Sequence, residues 1–422
     1  MKLDCNFEIN NQIICSETYL EQKQDDCSIV ATVFPHENIP DLTSDCSLES
    51  VNQSDYSDLF LHKTSGKIDL IPSSNGYTKQ YIVKLATVKL VARNIPEAND
   101  TVLVQIYLTN IPYSFKPFIH THEQEGKEPE IYQTDFTAIK ITGQPKIVIK
   151  PHSEGAISHI LELNGVTFAE LNNVIELIDS ISFLISFASG RMCSIAKIEV
   201  LHDTRIVHLE YISPENTKLK EGNKVIYDEE DIIKFIEYTY TNYISKVDIY
   251  KLKKLITLGI LAKNTPYIEN KTILMCNFLE ILRYNHAIYC TNKFKKQGDC
   301  FYWADGRNAD EVSFKKILED FCVTNDLHFE YFITKIRNTI VHQGEVIGNN
   351  SEKKIENYLR LHHFCDRVIL TLLKWDEVSG YYIPINKRQY KPINGKAGNR
   401  VLFNRKLVGH NSTIFNIFLQ VD

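Results

Sequence analysis

An α+β chain, with a β-rich N-terminal region followed by an α-helical bundle, is predicted by one change of pattern along the sequence and by one late motif. Up to residue 163 the chain runs in short β-branched or alternating apolar stretches separated by turn residues. From residue 166 onward apolar residues recur mainly at spacings of three and four. Near the end of one of the last helices, Arg337-Asn338-Thr339-Ile340-Val341-His342 gathers a guanidinium, an amide and an imidazole.

In chain order, CNFEI, QIIC and CSIVATVF within residues 1–40 predict strands and hairpins. DLTSDCSLESVNQSDYSD, residues 41–58, reads as a polar loop or linker. YIVKLATVKLVA, TVLVQIYLT, FTAIKITG and PKIVIKP then predict a β-sheet over 66–163, with a sandwich as the expected form. No aromatic cluster or charge pattern marks its face, so a scaffold or oligomerisation surface is the preferred reading. Leu171, Val174, Ile178, Ile181 and Ile185 build a broad apolar helical face over 166–190, which Gly190 ends. IAKIEVLH and IVHLEYI make a strand pair, so 164–225 reads as an α/β connecting element. Helices are then expected over 229–244, 247–262, 267–290, 311–323, 327–343 and 352–374.

In the motif helix, Phe329, Phe332, Ile333, Ile336 and Ile340 form one stripe on a wheel of about 100° per residue. Arg337, Asn338 and His342 lie on the opposite, polar arc, together with Tyr331 and Thr334 as candidate supporting side chains. Arg337 suits a phosphate, His342 can move a proton near neutral pH, and Asn338 can orient either. Gly344 is a fitting C-cap, which places His342 in the last turn. There the helix dipole favours the imidazolium and Arg337 disfavours it, and the sequence does not decide between them. In the helix over 267–290, Glu280 and Arg283 fall on the polar side and read as solvated or ion-paired charges. The stretch 291–310 reads as a loop mixing cations with Phe294, Phe301, Tyr302 and Trp303, a composition for a protein interface more than for nucleic acid.

At 422 residues the chain has room for two or three domains. Hydrophobic residues are 43% and charged residues 24%; no uninterrupted apolar run of membrane-spanning length and no apolar N-terminal signal stand out. Ten scattered cysteines without a Cys-x-x-Cys pair read as reduced thiols, which predicts a cytoplasmic location. His120-Thr121-His122-Glu123 and His362-His363-x-Cys365 lack the paired spacing of a structural metal site, so no metal or other cofactor is expected. Phosphate-binding glycine loops and the Gly-x-Ser-x-Gly motif are missing, which removes the marks of ATPases, dinucleotide enzymes and α/β-hydrolases. The net charge of −6 hides an asymmetry: in residues 378–422 seven cations face the single carboxylate side chain of Asp422, leaving −12 for the rest. Lys387, Arg388, Lys391, Arg400 and Arg405 of this basic extension, 376–422, are candidate RNA contacts, interleaved with Tyr381, Tyr382, Tyr390 and Phe403. An arm packed on the acidic remainder of the chain is the alternative.

Arg-Asn-x-x-x-His near the end of a late helix, within IRNTIVHQGE, resembles the signature of HEPN domains and in particular the Apea-like HEPN group, over residues 226–375. The resemblance implies an α-helical bundle and a metal-independent endoribonuclease that uses no cofactor. Two copies of the motif helix would meet at a homodimer interface to form one composite site, with Arg337, His342 and Asn338 catalytic. The RNA 2′-hydroxyl would attack its own phosphate and leave a 2′,3′-cyclic phosphate and a 5′-hydroxyl. The implied partners are RNA, with tRNA a candidate, and a phage-derived trigger sensed by the N-terminal region, 1–163; no membrane partner is implied. The implied role is anti-phage defence or abortive infection. The alternative is a noncatalytic nucleotide- or RNA-binding HEPN module, and a purely structural adaptor comes third.

Overall fold

The computed structural model describes residues 2–375 apart from 10–11, 36–44, 51–58, 70–80, 123–129, 153–154, 215–223, 227–228 and 307–309. It is α+β, and the chain divides into two compact units between Tyr240 and Thr241. The basic segment 376–422, with Lys387, Arg388, Lys391, Arg400 and Arg405, lies outside the described residues.

The first unit begins with β1 (Lys2–Ile9), β2 (Gln12–Gln22), β3 (Ile29–Pro35) and β4 (Asp45–Ser50), followed by β5 (Leu59–Leu61), β6 (Thr64–Asp69) and β7 (Tyr81–Leu85). Six of these close into a barrel of order β1-β2-β3-β7-β6-β4, whose neighbours are all antiparallel. Period-two alternation sends Leu3, Cys5, Ala31, Val33, Leu48 and Val83 into buried positions. Ser16 is buried with them and donates its hydroxyl to the Cys5 carbonyl at 3.1 Å, so it adds no orphaned polar group. Part of the stretch read as a polar linker is therefore a strand: Cys46 and Leu48 of β4 are buried while the Ser and Glu between and beside them supply its polar look.

The chain next builds β8 (Thr87–Ala92), β9 (Thr101–Thr109), the separate hairpin β10 (Phe118–His122) and β11 (Glu130–Asp135), then β12 (Ala138–Ile139), β13 (Ile147–Pro151) and β14 (Ile157–Thr167). After helix α1 (Leu171–Ser189) come β15 (Ile195–His202) and β16 (Arg205–Ile212). An eight-stranded sheet of order β12-β13-β14-β9-β15-β16-β8-β5 results, in place of the expected sandwich. The segment expected as a connector, 164–225, contributes β15 and β16 to the middle of this sheet. Val102, Val104, Ile106 and Leu108 of β9 alternate into the core on which α1 packs. Leu177, Ile178, Ile181, Leu184 and Ile185 of α1 are all buried, each stabilising by about 1.5–3 kcal/mol relative to exposure. The stretch Phe168–Ser189 has the length and composition of a membrane span, yet 67% of its most apolar 18 residues are buried inside the protein, so its apolar face is already occupied. At Gly155, with φ of +61°, a side chain would collide with the Gln24 carbonyl; the neighbouring Ala156 N–H donates to that carbonyl at 2.6 Å and ties the sheet to the barrel.

The boundary between the units falls inside α2 (Glu229–Tyr250). This helix runs through the break expected near 245 and ends instead at Lys251, whose φ is 56°. The second unit adds α3 (Leu252–Asn264), α4 (Ile268–Asn285), the hairpin β17 (Phe294–Gln297) and β18 (Cys300–Trp303), α5 (Phe314–Thr324), α6 (Phe332–Gln343) and α7 (Ser351–Leu373). Helix α4 touches α3, α5, α6 and α7, and so forms the middle of the bundle. Lys246 and Asn242 cap the last turn of α7 by donating to the carbonyls of Leu372 and Leu373. The stretch read as a loop, 291–310, contains the β17–β18 hairpin. Its Phe294 and Phe301 pack with Ala287, Val312 and Ile317, so these two rings are core and are not available to stack on bases.

Candidate active site

Helix α6 starts at Phe332, five residues later than its apolar period predicts; Leu327 is buried ahead of it and Phe329 half-buried. Ile333, Ile336 and Ile340 hold it to the bundle. Gly344 ends it with φ of 71°, donating its N–H to the Ile340 carbonyl at 3.0 Å. His342 therefore sits in the final turn, as expected from Gly344.

Arg337 is a tethered side chain. Its Nε and Nη2 both donate to Oε1 of Glu280, at 2.9 and 2.7 Å, and its Nη1 donates to the Asn338 side-chain oxygen at 3.1 Å. The guanidinium also lies 5.1 Å from the centre of the Phe314 ring. Glu280 offers its second oxygen to Arg283 at 3.1 Å, and Arg283 in turn stacks over Phe301 and Phe314. Two guanidiniums thus share one carboxylate, so the cluster keeps a net positive charge on a fixed frame. Of the two readings of Glu280 and Arg283, solvated or ion-paired, the second holds, and Arg337 of the motif is drawn into the pair. Phe314 was missed; its one local signal is Ser313, which accepts from the Lys316 N–H as the N-cap of α5 and places Phe314 in the first turn.

His342 is exposed and has no hydrogen-bond or ionic partner among the described residues. Five helical residues separate it from Arg337, which turns the two side chains about 140° apart and about 7.5 Å along the axis. Tyr331, Lys335, Asn338 and His342 share one exposed stripe, while Arg337 leans aside toward α4. Tyr331 is 65% exposed and carries the Lys315 ammonium 4.4 Å from its ring centre. Thr334 does not belong to this stripe: it is buried, and its hydroxyl has no hydrogen-bond partner among the described residues. Thr334 was expected as support on the polar arc; it lies at the edge of that arc toward the bundle and is buried, whereas Tyr331 and Lys335 on either side of it in sequence are exposed.

Around the motif the surface turns apolar. Val341, one turn beyond Arg337, is 55% exposed, and on α4 Tyr284 and Ile273 flank the Glu280 face at 37% and 41%. Cys276 lies deeper in α4, where burial pushes its thiol up to about 12 and leaves it a core residue. His362 and Cys365 of α7 are likewise buried, and among the described residues no three His, Cys, Asp or Glu side chains converge as metal ligands. Comparisons with protein-family models, with curated proteins and with solved structures found no match.

Proposed function

We propose that the protein is a HEPN-type, metal-independent endoribonuclease whose site is completed by a second copy of the chain. The observation that carries this reading is the contrast within one helix: Arg337 is held rigid by Glu280 and Asn338, while His342 is exposed and makes no hydrogen bond or ion pair to any described residue. In one copy the two side chains diverge, so they serve one phosphate best when the motif helices of two copies face each other. The exposed Val341, Tyr331, Ile273 and Tyr284 supply apolar area for that contact. His342 takes the proton of the RNA 2′-hydroxyl or returns one to the leaving 5′-oxygen, and Arg337 stabilises the charge on the pentacoordinate phosphorus between them. The products are a 2′,3′-cyclic phosphate and a 5′-hydroxyl. The biological setting that fits is a cytoplasmic RNA-directed effector, with tRNA a candidate substrate, used in anti-phage defence or abortive infection.

A noncatalytic nucleotide- or RNA-binding role is favoured by one observation, the two hydrogen bonds that Glu280 already takes from Arg337. Purified protein incubated with RNA in excess chelator separates the readings. Cleavage that disappears in both Arg337→Ala and His342→Ala while binding survives in His342→Ala supports the enzyme; RNA binding with no cleavage by the wild-type chain sinks it.

A further inference from the structure

In the first unit a cavity of about 690 Å³ opens between the barrel and the eight-stranded sheet, lined from β2, β3, β5, β8, β15 and β16. Its volume lies within the range of about 300–1,000 Å³ typical of small-molecule sites. Part of the lining is aliphatic: Leu20, Val88, Val207 and Leu209 are buried there and offer a surface for a flat ring.

Beside Leu209, its cross-strand partner Glu199 supplies a prearranged carboxylate. Tyr107 donates its hydroxyl to Glu199 Oε2 at 2.6 Å, and Lys197 pairs with Glu199 Oε1. Lys197 is itself held between the rings of Tyr107 and Tyr211, at 4.7 and 5.6 Å from their centres. A carboxylate has about four acceptor positions, so after these two donors Glu199 still accepts further N–H groups from the cavity. Arg205 lies on the rim at the start of β16, exposed, with no hydrogen bond or ion pair to any described side chain. Strand register pairs Glu199 with Leu209 and Leu201 with Ile206 on one face, and Arg205 follows at the hairpin end of that row, on the cavity rim. Glu21 and Asn94 line the rim as well.

From this arrangement we propose that the cavity binds a guanine nucleoside monophosphate, with the base edge on Glu199 and the phosphate on Arg205. Guanine presents N1–H and the 2-amino group side by side, two donors that one carboxylate accepts together. Adenine and cytosine place a ring acceptor beside their amino group, which would face the carboxylate lone pairs. The base plane lies on the aliphatic part of the lining beside Glu199, and Glu21 and Asn94 suit the ribose hydroxyls. The ionised lining side chains, Lys197 and Arg205 against Glu21 and Glu199, balance, so one phosphate is favoured over a triphosphate.

Calorimetric titration of the full chain with GMP, AMP, CMP, UMP, guanosine and inorganic phosphate tests the proposal. GMP binds, and AMP and guanosine each bind at least about tenfold more weakly, since a site built for particular hydrogen bonds rejects ligands that leave them unmade. Glu199→Gln removes the preference for GMP over AMP, and Arg205→Ala reduces GMP to the affinity of guanosine. The proposal is overturned if no nucleotide binds, if inorganic phosphate binds as well as GMP, or if Arg205→Ala leaves GMP affinity unchanged. Arg205 is exposed and partnerless, so its replacement leaves folding intact even where Glu199→Gln does not. The readout is binding in the first unit and is independent of whether the chain cleaves RNA.

Discussion

Arg337 has its position fixed before any ligand arrives, and this decides how its replacements behave. Lysine keeps the charge but cannot reproduce two donations to one Glu280 oxygen and a third to Asn338. Arg337→Lys is therefore expected to lower RNA cleavage at least about tenfold, as a misplaced transition-state donor does, with RNA affinity changed far less. His342 makes no such contacts, so His342→Ala should leave stability within about 0.5 kcal/mol while abolishing cleavage. Denaturant unfolding together with a cleavage assay checks both, and a destabilised His342→Ala would mean that the imidazole has a structural role. Glu280→Gln gives a test of opposite sign. It removes the one negative charge shared by Arg337 and Arg283, so RNA should bind more tightly, with a steeper dependence on salt. Equal affinity and equal salt slope would show that RNA does not approach this cluster.

Two helices carry consequences that single residues do not. In α6 the turn bearing His342 is closed by Gly344 in the left-handed region, where a β-branched residue is strained. Gly344→Val should cost about 1–2 kcal/mol, fray that turn and lower cleavage while RNA binding at Arg337 persists; unchanged cleavage would detach His342 geometry from activity. In α7, burial drives the His362 imidazole down to about 4, with Lys263 and Lys271 adding to the fall and Asp366 opposing it. Burial and Arg367 drive His363 down to about 3. Both folded values lie below the ordinary histidine value of about 6.5, so the unfolded chain binds protons that the folded bundle refuses. Stability is thus full above about pH 6.5 and falls as pH drops toward 4 and then 3, which urea midpoints measured across pH 7.5 to 4.5 will follow. His363→Gln should flatten the slope. The helices themselves were legible because each has one apolar stripe, and even the motif helix erred only at its start, where Phe329 continues the period without helical backbone. The Arg337–Glu280 contact was not legible, because the partners lie 57 residues apart on faces where charges are ordinarily solvated.

At the scale of the whole molecule, what the sequence concealed was strand pairing. An antiparallel partner is chosen by long-range geometry, and nothing local in the polar DCSLES of β4 says that it closes a barrel against β1 and β6. The same non-locality hid the cavity wall, since Tyr107 and Glu199 are each ordinary strand residues until register sets them on one diagonal across β9 and β15. The oligomer is subject to the same kind of concealment, and it is what the proposed chemistry most depends on. If Arg337 of one copy serves His342 of the other, a dimer holds two sites by symmetry. Mixing Arg337→Ala chains with His342→Ala chains then gives heterodimers in which one site has lost both groups and the other keeps both. Random pairing makes half of all dimers mixed, so about a quarter of wild-type cleavage should return from two inactive preparations. A site built within a single copy returns none. Co-purification of the untagged variant with an affinity-tagged partner confirms that chains have exchanged, so silence with heterodimers present would mean that the two residues act within one chain or not at all. Val341→Arg, placed on the exposed apolar surface beside the motif, should dissociate the dimer and remove cleavage without unfolding the bundle. Wild-type activity in a monomeric Val341→Arg protein would refute the shared site directly.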